Sequence, residues 1–543
     1  MKLLSKVLVL LLLFIGTLSA QEALSGNITA NTTLTSNKTY VLKGIVRVMS
    51  GATLTIEPGT TIYGEASSQG SLIIKPGAKI MAEGTVDKPI VFTSEFTKPG
   101  STKAPNYGDW GGIIVLGNAP VNVPGGKALI EGPGDEYGGT VVDDNSGVLK
   151  YMRIEYPGIA YSLNNEINGL TFGGVGNKTL VEYIQVSYSG DDSFEWFGGT
   201  VNGKYLIAYR GWDDCFDTDF GYNGKLQFLL SVRDPQIADQ SSSNGFESDN
   251  DGSGSTNSPR TSPTYYNVTL IGPAAVKTSA YNSLFRRGMH LRRSSQNKIA
   301  NALIMGWPDG VLIDGTNAVA DMKSGTTAFI KNSIIAGSVL GDFKSTDASF
   351  QAEMPAWFTA QGGRTFATNA EVNLIDPFNL AKPNPMPKSN SPVFTGAATP
   401  PSDGFFDTSA RFVGAFGSTN WADRWSSLSF TGVSVEENGS ASIPTKFELS
   451  QNYPNPFNPT TAISYKVQVP SHVTLKVYDV LGRVVATLVD EFQQTGIYNS
   501  QFSISRLAGR ESERANTQLS SGVYFYQLKA GSFTSTKKMN LLK

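Results

Sequence analysis

The chain has 543 residues, with 57 Gly, 27 Pro and only 17 % charged residues. One Cys excludes an internal disulfide, and two His argue against a histidine-built metal centre. Eleven Lys and Arg face six Asp and Glu in 446–543, and the first twenty residues hold two more lysines, so residues 21–445 carry −9 within a chain total of −2; so acidic a body argues against nucleic acid as a partner.

Lys2 and Lys6 precede an apolar run over 7–15, followed by small residues up to Ala20. This pattern predicts a signal peptide over 1–20, too short to span a bilayer, cleaved after Ser19 or Ala20. No Cys follows it, so no lipid anchor is expected, and no second run of spanning length occurs. The mature chain is expected to be exported, free of integral membrane segments, and stabilised by packing alone.

From 21 to about 430 short apolar stretches recur, punctuated by Gly, Asn and Pro-Gly turns, which predicts an all-β body. "GATLTIEPGTTIYG" (51–64) is echoed by "GSLIIKPGAKIMAEG" (70–84), which sets Leu54 level with Leu72. "YMRIEYPG" (151–158), "YIQVSYSG" (183–190) and "YLIAYRG" (205–211) form a second series, with Tyr156, Tyr188 and Tyr209 in one register. A strand-rich unit every 18 to 30 residues suits the turns of a parallel β-helix, whose strands stack at about 4.8 Å. Residues near 22–45 are expected to cover the open edge of the first turn. The segment 412–425, "FVGAFGSTNWADRW", is expected to close the C-terminal end, and 431–445 reads as a linker.

"DWGGIIVLG" (109–117), "NEINGLTFGGVG" (165–176) and "DDSFEWFGGTVN" (191–202) resemble secreted bacterial surface proteins of the right-handed parallel β-helix, or pectin-lyase-like, class. The resemblance implies a solenoid over about 23–425. Polysaccharide lyases of that class use Ca²⁺ to hold a sugar carboxylate and an Arg to take the proton. Carried onto this chain, Asp213, Asp214, Asp217, Glu247 and Arg287 would supply that chemistry.

The residues themselves point to the same region. "SGDDSFEWFGG" (189–199), "RGWDDCFDTDFG" (210–221) and "SNGFESDNDG" (243–252) read as successive turns. If Phe194, Phe216 and Phe246 stack inward, then Glu195, Asp217 and Glu247 point outward, with Asp219 and Asp249 on the same face. Carboxylates one turn apart repel unless protonated or bridged, and Ca²⁺ suits such a ladder because it takes 6–8 oxygens. The alternative is that these Asp and Glu occupy tight turns and solvated faces. Arg286, Arg287, His290, Arg292 and Arg293 form a basic counterpart whose members are expected to pair with acidic neighbours. Trp196 and Trp212 are candidate sugar-stacking rings, as are Trp110 and Trp307, although tryptophans in a solenoid also pack. Cys215 lacks a partner His and reads as structural.

After the linker come six or seven alternating strands in 446–543, which predict a small Ig-like β-sandwich. Pro454, Pro456 and Pro459 hold its lead-in extended. "NYPNPFNPTT", "VYDVLGRVVATL" (477–488), "SGVYFYQLKAG" (521–531) and the terminal "TKKMNLLK" closely resemble the C-terminal sorting domain of the type IX secretion system. That resemblance implies export across a bacterial outer membrane. It also implies contact with the secretion machinery and a cysteine-type sorting protease, then anchoring to surface polysaccharide or release. Residues 508–518 enlarge one connection, expected to be an exposed loop. Two functions remain open from the residues: a structural or adhesive β-helix that binds glycan or neighbouring surfaces, or a secreted polysaccharide lyase or hydrolase with a calcium-assisted acidic groove.

Overall fold

Successive turns of the body stack in parallel and in register, three strands to a turn, so that three columns form. The computed structural model describes residues 21–162, 165–428, 447–452, 455–457, 460–469, 471–493, 496–503, 519–531 and 533–542. The first column runs through Thr53–Ile56, Lys79–Glu83 and the leading halves of Gly147–Glu155, Leu180–Ser187 and Asn202–Tyr209. The second runs through Thr61–Gly64, Ile90–Ser94 and the trailing halves of the same strands. The third runs through Ser71–Ile74, Gly112–Leu116, Leu170–Gly173, Phe194–Phe197, Phe216–Asp219, Phe246–Ser248 and Arg287–Leu291.

The corner between first and second columns is one residue at positive φ, seen at Tyr151 (49°), Tyr183 (56°), Tyr205 (60°), Phe228 (62°), Asn267 (57°) and Asn301 (56°). Left-handed backbone costs an ordinary residue roughly 1–2 kcal/mol. Asn tolerates it, and the aromatic residues offset it by stacking along the axis: Tyr151 on Tyr183 at 4.4 Å, Tyr183 on Tyr205 at 4.2 Å and Tyr205 on Phe228 at 4.8 Å.

Two registers differ from the sequence expectation. Leu54 stands level with Ile80 in the first column, while Leu72 stands between Val46 and Ile113 in the third. The echo between 51–64 and 70–84 is therefore one strand out of phase, because all three legs share the same apolar alternation and Pro-Gly turn. Tyr209 falls level with Ser187, and Arg210 follows it at the corner occupied by Tyr188 one turn earlier, with its guanidinium 5.3 Å from the Tyr188 ring.

The second column is buried on both faces, as near-continuous apolar strands such as Lys225–Val232 and Lys298–Met305 require. Its outer residues Leu230, Ile271, Leu303 and Ile334 pack under the segment 392–428, which contributes Val413, Phe416 and Trp425. This strap runs back along the axis. Asn332 Nδ2 donates to Gly396 O at 2.8 Å, Asn301 Nδ2 to Ala398 O at 2.9 Å, Asn267 Nδ2 to Phe412 O at 2.7 Å and Gln185 Nε2 to Ser427 Oγ at 2.6 Å. The expected role of 412–425 as an end closure is thus corrected: it covers a side. The last turn is covered instead by the helix Ala348–Ala360, whose Phe350, Met354 and Phe358 join the core. The i, i+4, i+8 spacing of those residues marks one helical face, but Pro355 interrupts the pattern. At the other end Gln21–Ile28 lies on the edge of Thr39–Val48.

The chain divides into two compact units, Met1–Ser434 and Val435–Lys543. In the second unit, Thr460–Val467 pairs with Glu448–Leu449 and Gly496–Ser503, while Ser471–Tyr478 and Gly522–Ala530 form the centre of a four-stranded antiparallel sheet. Ile463, Tyr465 and Val467 of the first sheet meet Val473, Leu475, Tyr526 and Leu528 of the second in one core. The lead-in docks on this core: Phe457 N donates to Asn540 O at 2.9 Å, and Asn452 N to the Tyr526 hydroxyl at 2.8 Å. The predicted signal peptide and the expected linker, with Pro454, Pro459 and the connection 508–518, lie outside the described residues.

Candidate functional site

Glu195, Asp217 and Glu247 stand level on neighbouring strands of the third column. Behind them Phe194, Phe216 and Phe246 fill the interior, with successive ring centroids 5.5 Å apart. The expected solvated face is not what surrounds the row, since Glu195 is only 7 % exposed. The insertion 117–146 covers that end. Its Val121, Ile130 and Tyr137 pack on Ile73, Ile114 and Phe197 of the third column. The same insertion brings Glu131 to Glu195, and the Asn168 amide donates to both carboxylates.

The turns before the strands complete the cluster. Carboxylate oxygens of Asp191, Asp192 and Asp213 lie within 4.8 Å of one another, as do those of Asp192, Glu195 and Asp217. Asp192 is common to both sets, and its Oδ1 accepts from Asp214 N at 2.7 Å, which fixes one turn on the next. Asp213 Oδ1 and Asp217 Oδ1 are buried without a hydrogen-bond partner. Among the described residues no lysine or arginine forms an ion pair with these five; the paired carboxylates of this face are Glu247 and Asp249. Burial, reinforced by the neighbouring carboxylates, raises Asp191, Asp192, Glu195, Asp214 and Asp217 well above the usual carboxylate range. Burial pushes Asp213 up to about 6 and Asp219 up to about 7.

One turn further the charge balance changes. Glu247 accepts from Arg292 and lies 3.4 Å from His290 Nδ1, while Asp249 takes Arg292 at 2.7 Å and Arg293 at 2.8 Å. Burial pushes Glu247 up, but the His290 hydrogen bond and the Arg292 charge outweigh it and hold the carboxyl below its usual range. His290 Nε2 also meets Asp314 Oδ2 at 3.1 Å. Asp219 turns its Oδ1 to the Phe220 N–H at 2.6 Å. Of the five sequence-nominated metal ligands, the structure therefore brings Glu195 and Asp217 into the uncompensated cluster. Glu247 and Asp249 are neutralised by arginine, and Asp219 stands apart. Asp213 joins the cluster, and Asp214 supports it through its backbone and is one of its raised carboxyls.

Other nominated residues separate cleanly. Trp196 is 1 % exposed and stacks between Phe172 and Phe194 in the interior, so it cannot meet a ligand; Trp110 and Trp307 are equally buried. Trp196 points inward because it lies two residues from Phe194 on the same strand. Trp212 is 39 % exposed. Cys215 is buried, 3.4 Å from Arg233 Nη1. Arg287 makes no ion pair or side-chain hydrogen bond among the described residues, and its Nε is buried and unpartnered. Asp191 and Asp192 were legible as the Asp-Asp doublet 22 residues before Asp213 and Asp214. Glu131 and Asn168 carried no local signal, since the insertion's fold alone places Glu131.

Residues 26–372 match the model of the pectate-lyase-like β-helix domain family. The chain belongs to this family. Residues 451–541 of this β-helix protein match the secretion system C-terminal sorting domain. The protein is therefore secreted across the outer membrane to the cell surface or extracellular space, with the type IX machinery as its partner. Among solved structures it is similar to the enzymatically active domain of tailspike protein 2 of bacteriophage CBA120, at 11 % identity and a TM-score of 0.26, over 93 % of this chain and 72 % of that one; a likeness at this level carries no argument about function. No curated protein matches the chain. Deleting 446–543 is expected to leave the body folded in the periplasm, as read by cell fractionation and protease shaving. Tail-less protein at the surface would contradict the sorting role.

Proposed function

We propose that the body binds carboxylate-bearing glycans at the third-column face through Ca²⁺ held by Asp191, Asp192, Asp213, Glu195 and Asp217, as an adhesive protein of the cell surface or its surroundings. One observation carries this reading: five convergent carboxylates, two with buried oxygens that accept no hydrogen bond and none paired with a lysine or arginine among the described residues. Burying such charge is unfavourable by several kcal/mol unless it is neutralised. Ca²⁺ accepts irregular oxygen shells and commonly completes them with oxygens from outside the protein. A sugar carboxylate is a fitting last ligand.

The test uses the leaderless full chain, titrated by calorimetry with CaCl₂ and then with tetragalacturonate. Ca²⁺ binding in the wild type and its loss in Asp192→Asn are expected, with oligosaccharide bound in Ca²⁺ and not in EDTA. A wild type that ignores millimolar Ca²⁺ would leave the cluster as protonated structural carboxyls and end this reading.

A second reading, a polysaccharide lyase, is favoured by Arg287. It lies in register two strands beyond Asp214, past Asn244, hence roughly 10 Å away. Burial lowers its pKa, with Asp309 opposing. In its neutral form, which that burial favours, an unpaired guanidine near a cation-bound uronate is suited to taking up the acidic carbon-bound proton and becoming guanidinium. The same mixture, followed for the ultraviolet absorbance of an unsaturated product, separates the readings: product that disappears in Arg287→Ala supports the lyase, and no product leaves binding alone.

A further inference from the structure

The turns that carry the carboxylates also build an aromatic shelf. Trp212 directly precedes Asp213, and its backbone N–H donates to Ser189 O at 2.8 Å, seating the later turn on the earlier one. Trp212 is 39 % exposed, whereas Trp110, Trp196, Trp307 and Trp425 are at 1 % or less. Its ring is nevertheless held in place. The indole N–H donates to Ala238 O at 2.9 Å. Tyr107 meets the Trp212 ring edge-on at 6.0 Å and the Tyr188 ring edge-on at 5.7 Å.

Tyr107 is delivered by a close backbone approach. Gly108 N donates to Pro157 O at 3.1 Å, and a Cβ on Gly108 would fall 2.9 Å from Gly158 O. Gly108 also has φ +63°, so glycine is what lets this loop come near enough. Two loops and a hydrogen bond thus fix an aromatic residue that remains 39 % exposed. Burying more of it against the core would be favourable by the area removed from water, as it is for Trp110, Trp196, Trp307 and Trp425. Rigid exposure next to a cluster of ligand-type oxygens instead provides a preformed surface for the C–H face of a sugar ring.

We infer that Trp212, braced by Tyr107, is a stacking platform for a pyranose ring whose oxygens reach a cation at Asp191, Asp192 and Asp213. The inference rests on the cation-dependent glycan reading above and adds a ring contact to it. Both side chains reach the same loop: the Trp212 indole N–H donates to Ala238 O, and Asp213 Oδ2 accepts from the Ser241 hydroxyl. One monosaccharide is wide enough to lie on the indole and still reach the adjacent carboxylate's cation.

The test compares wild type, Trp212→Ala and Trp212→Tyr as leaderless full chains. Affinity for tetragalacturonate is measured in millimolar CaCl₂, and Ca²⁺ affinity is measured separately without sugar. Trp212→Ala is expected to bind the oligosaccharide about tenfold or more weakly, with Ca²⁺ affinity unchanged, and Trp212→Tyr to recover most of the loss. Tryptophan emission is expected to shift on sugar binding in the wild type and to stay still in Trp212→Ala. Equal sugar affinity in wild type and Trp212→Ala would overturn the platform while leaving the glycan reading intact. A wild type that takes Ca²⁺ but no oligosaccharide would overturn both. A joint fall in Ca²⁺ and sugar affinity in Trp212→Ala and Trp212→Tyr would overturn the platform by showing that Trp212 only shapes the turn.

Discussion

In EDTA the body is expected to melt at steadily lower temperature as pH rises from about 4 to 8, and millimolar Ca²⁺ is expected to remove that dependence. The folded pKa values of Asp191, Asp192, Glu195, Asp214 and Asp217 are raised by burial, with Asp213 at about 6 and Asp219 at about 7. Carboxyls with raised folded values bind more protons folded than unfolded. Their contribution to stability is full below about pH 4, where the unfolded chain titrates, and is lost as pH climbs through the folded values. Asp213 alone, moving from 3.8 to about 6, accounts for a loss on the order of 3 kcal/mol at most.

Groups of the opposite kind bound the window from below. Burial raises Asp135, but Arg47 and Lys75 outweigh it and hold it low, so its contribution fades as pH falls. Arg292, Arg293 and His290 face Glu247 and Asp249 and leave the five cluster carboxylates unneutralised. At a hundredfold excess over its dissociation constant Ca²⁺ would add about 2.7 kcal/mol. Asp192→Asn removes a charge common to both triads. It should melt above wild type in EDTA at pH 8 and show no Ca²⁺ effect. Glu247→Gln should melt lower, because it strips Arg292 and His290 of a partner. Differential scanning calorimetry across pH, with and without Ca²⁺, checks each point; a wild-type melting temperature equal at pH 5 and 8 in EDTA would refute the charge argument.

Trp425→Ala is expected to cost about 3–5 kcal/mol, the range for truncating a large buried aromatic residue. Trp425 is fully buried; its ring meets Tyr151 at 6.1 Å and Tyr183 at 5.8 Å, and its indole N–H donates to Trp421 O at 2.8 Å. The substitution removes the brace from a corner already held in left-handed backbone. Its neighbour provides the contrast. Arg424 pairs with Asp87 across 337 residues, but the two side chains are 58 % and 61 % exposed. Arg424→Ala is expected to change stability by less than about 1 kcal/mol. Urea unfolding of the two variants tests the ranking. Hydrogen exchange should show the loss in Trp425→Ala concentrated in the strap and in the second-column strands beneath it. Similar stability for both variants would mean that the strap is not a structural brace.

The sequence by itself determined the stacking of the body and the nature of the tail. Phe194, Phe216 and Phe246 are spaced so that period-two alternation must send Glu195, Asp217 and Glu247 to the opposite face, and the strands keep that register. The proline-rich lead-in and the alternating strands of 446–543 specified a small sandwich for the same local reasons. What surrounds the face was not local. Whether an outward carboxylate meets water, an arginine or another carboxylate depends on where insertions return. Residues 117–146 return over Glu195, and Arg292 arrives beside Glu247 from the next turn. Leu54 and Leu72 show the same limit in the fold, because three legs with one turn chemistry look alike in sequence and only the closed coil tells them apart. The strap is the clearest case. Leu230, Ile271 and Leu303 carried no sign in the sequence of which segment would cover them; only the tertiary structure decided that the chain's own residues 392–428 do so, because burial is a property of the assembled surfaces rather than of either segment.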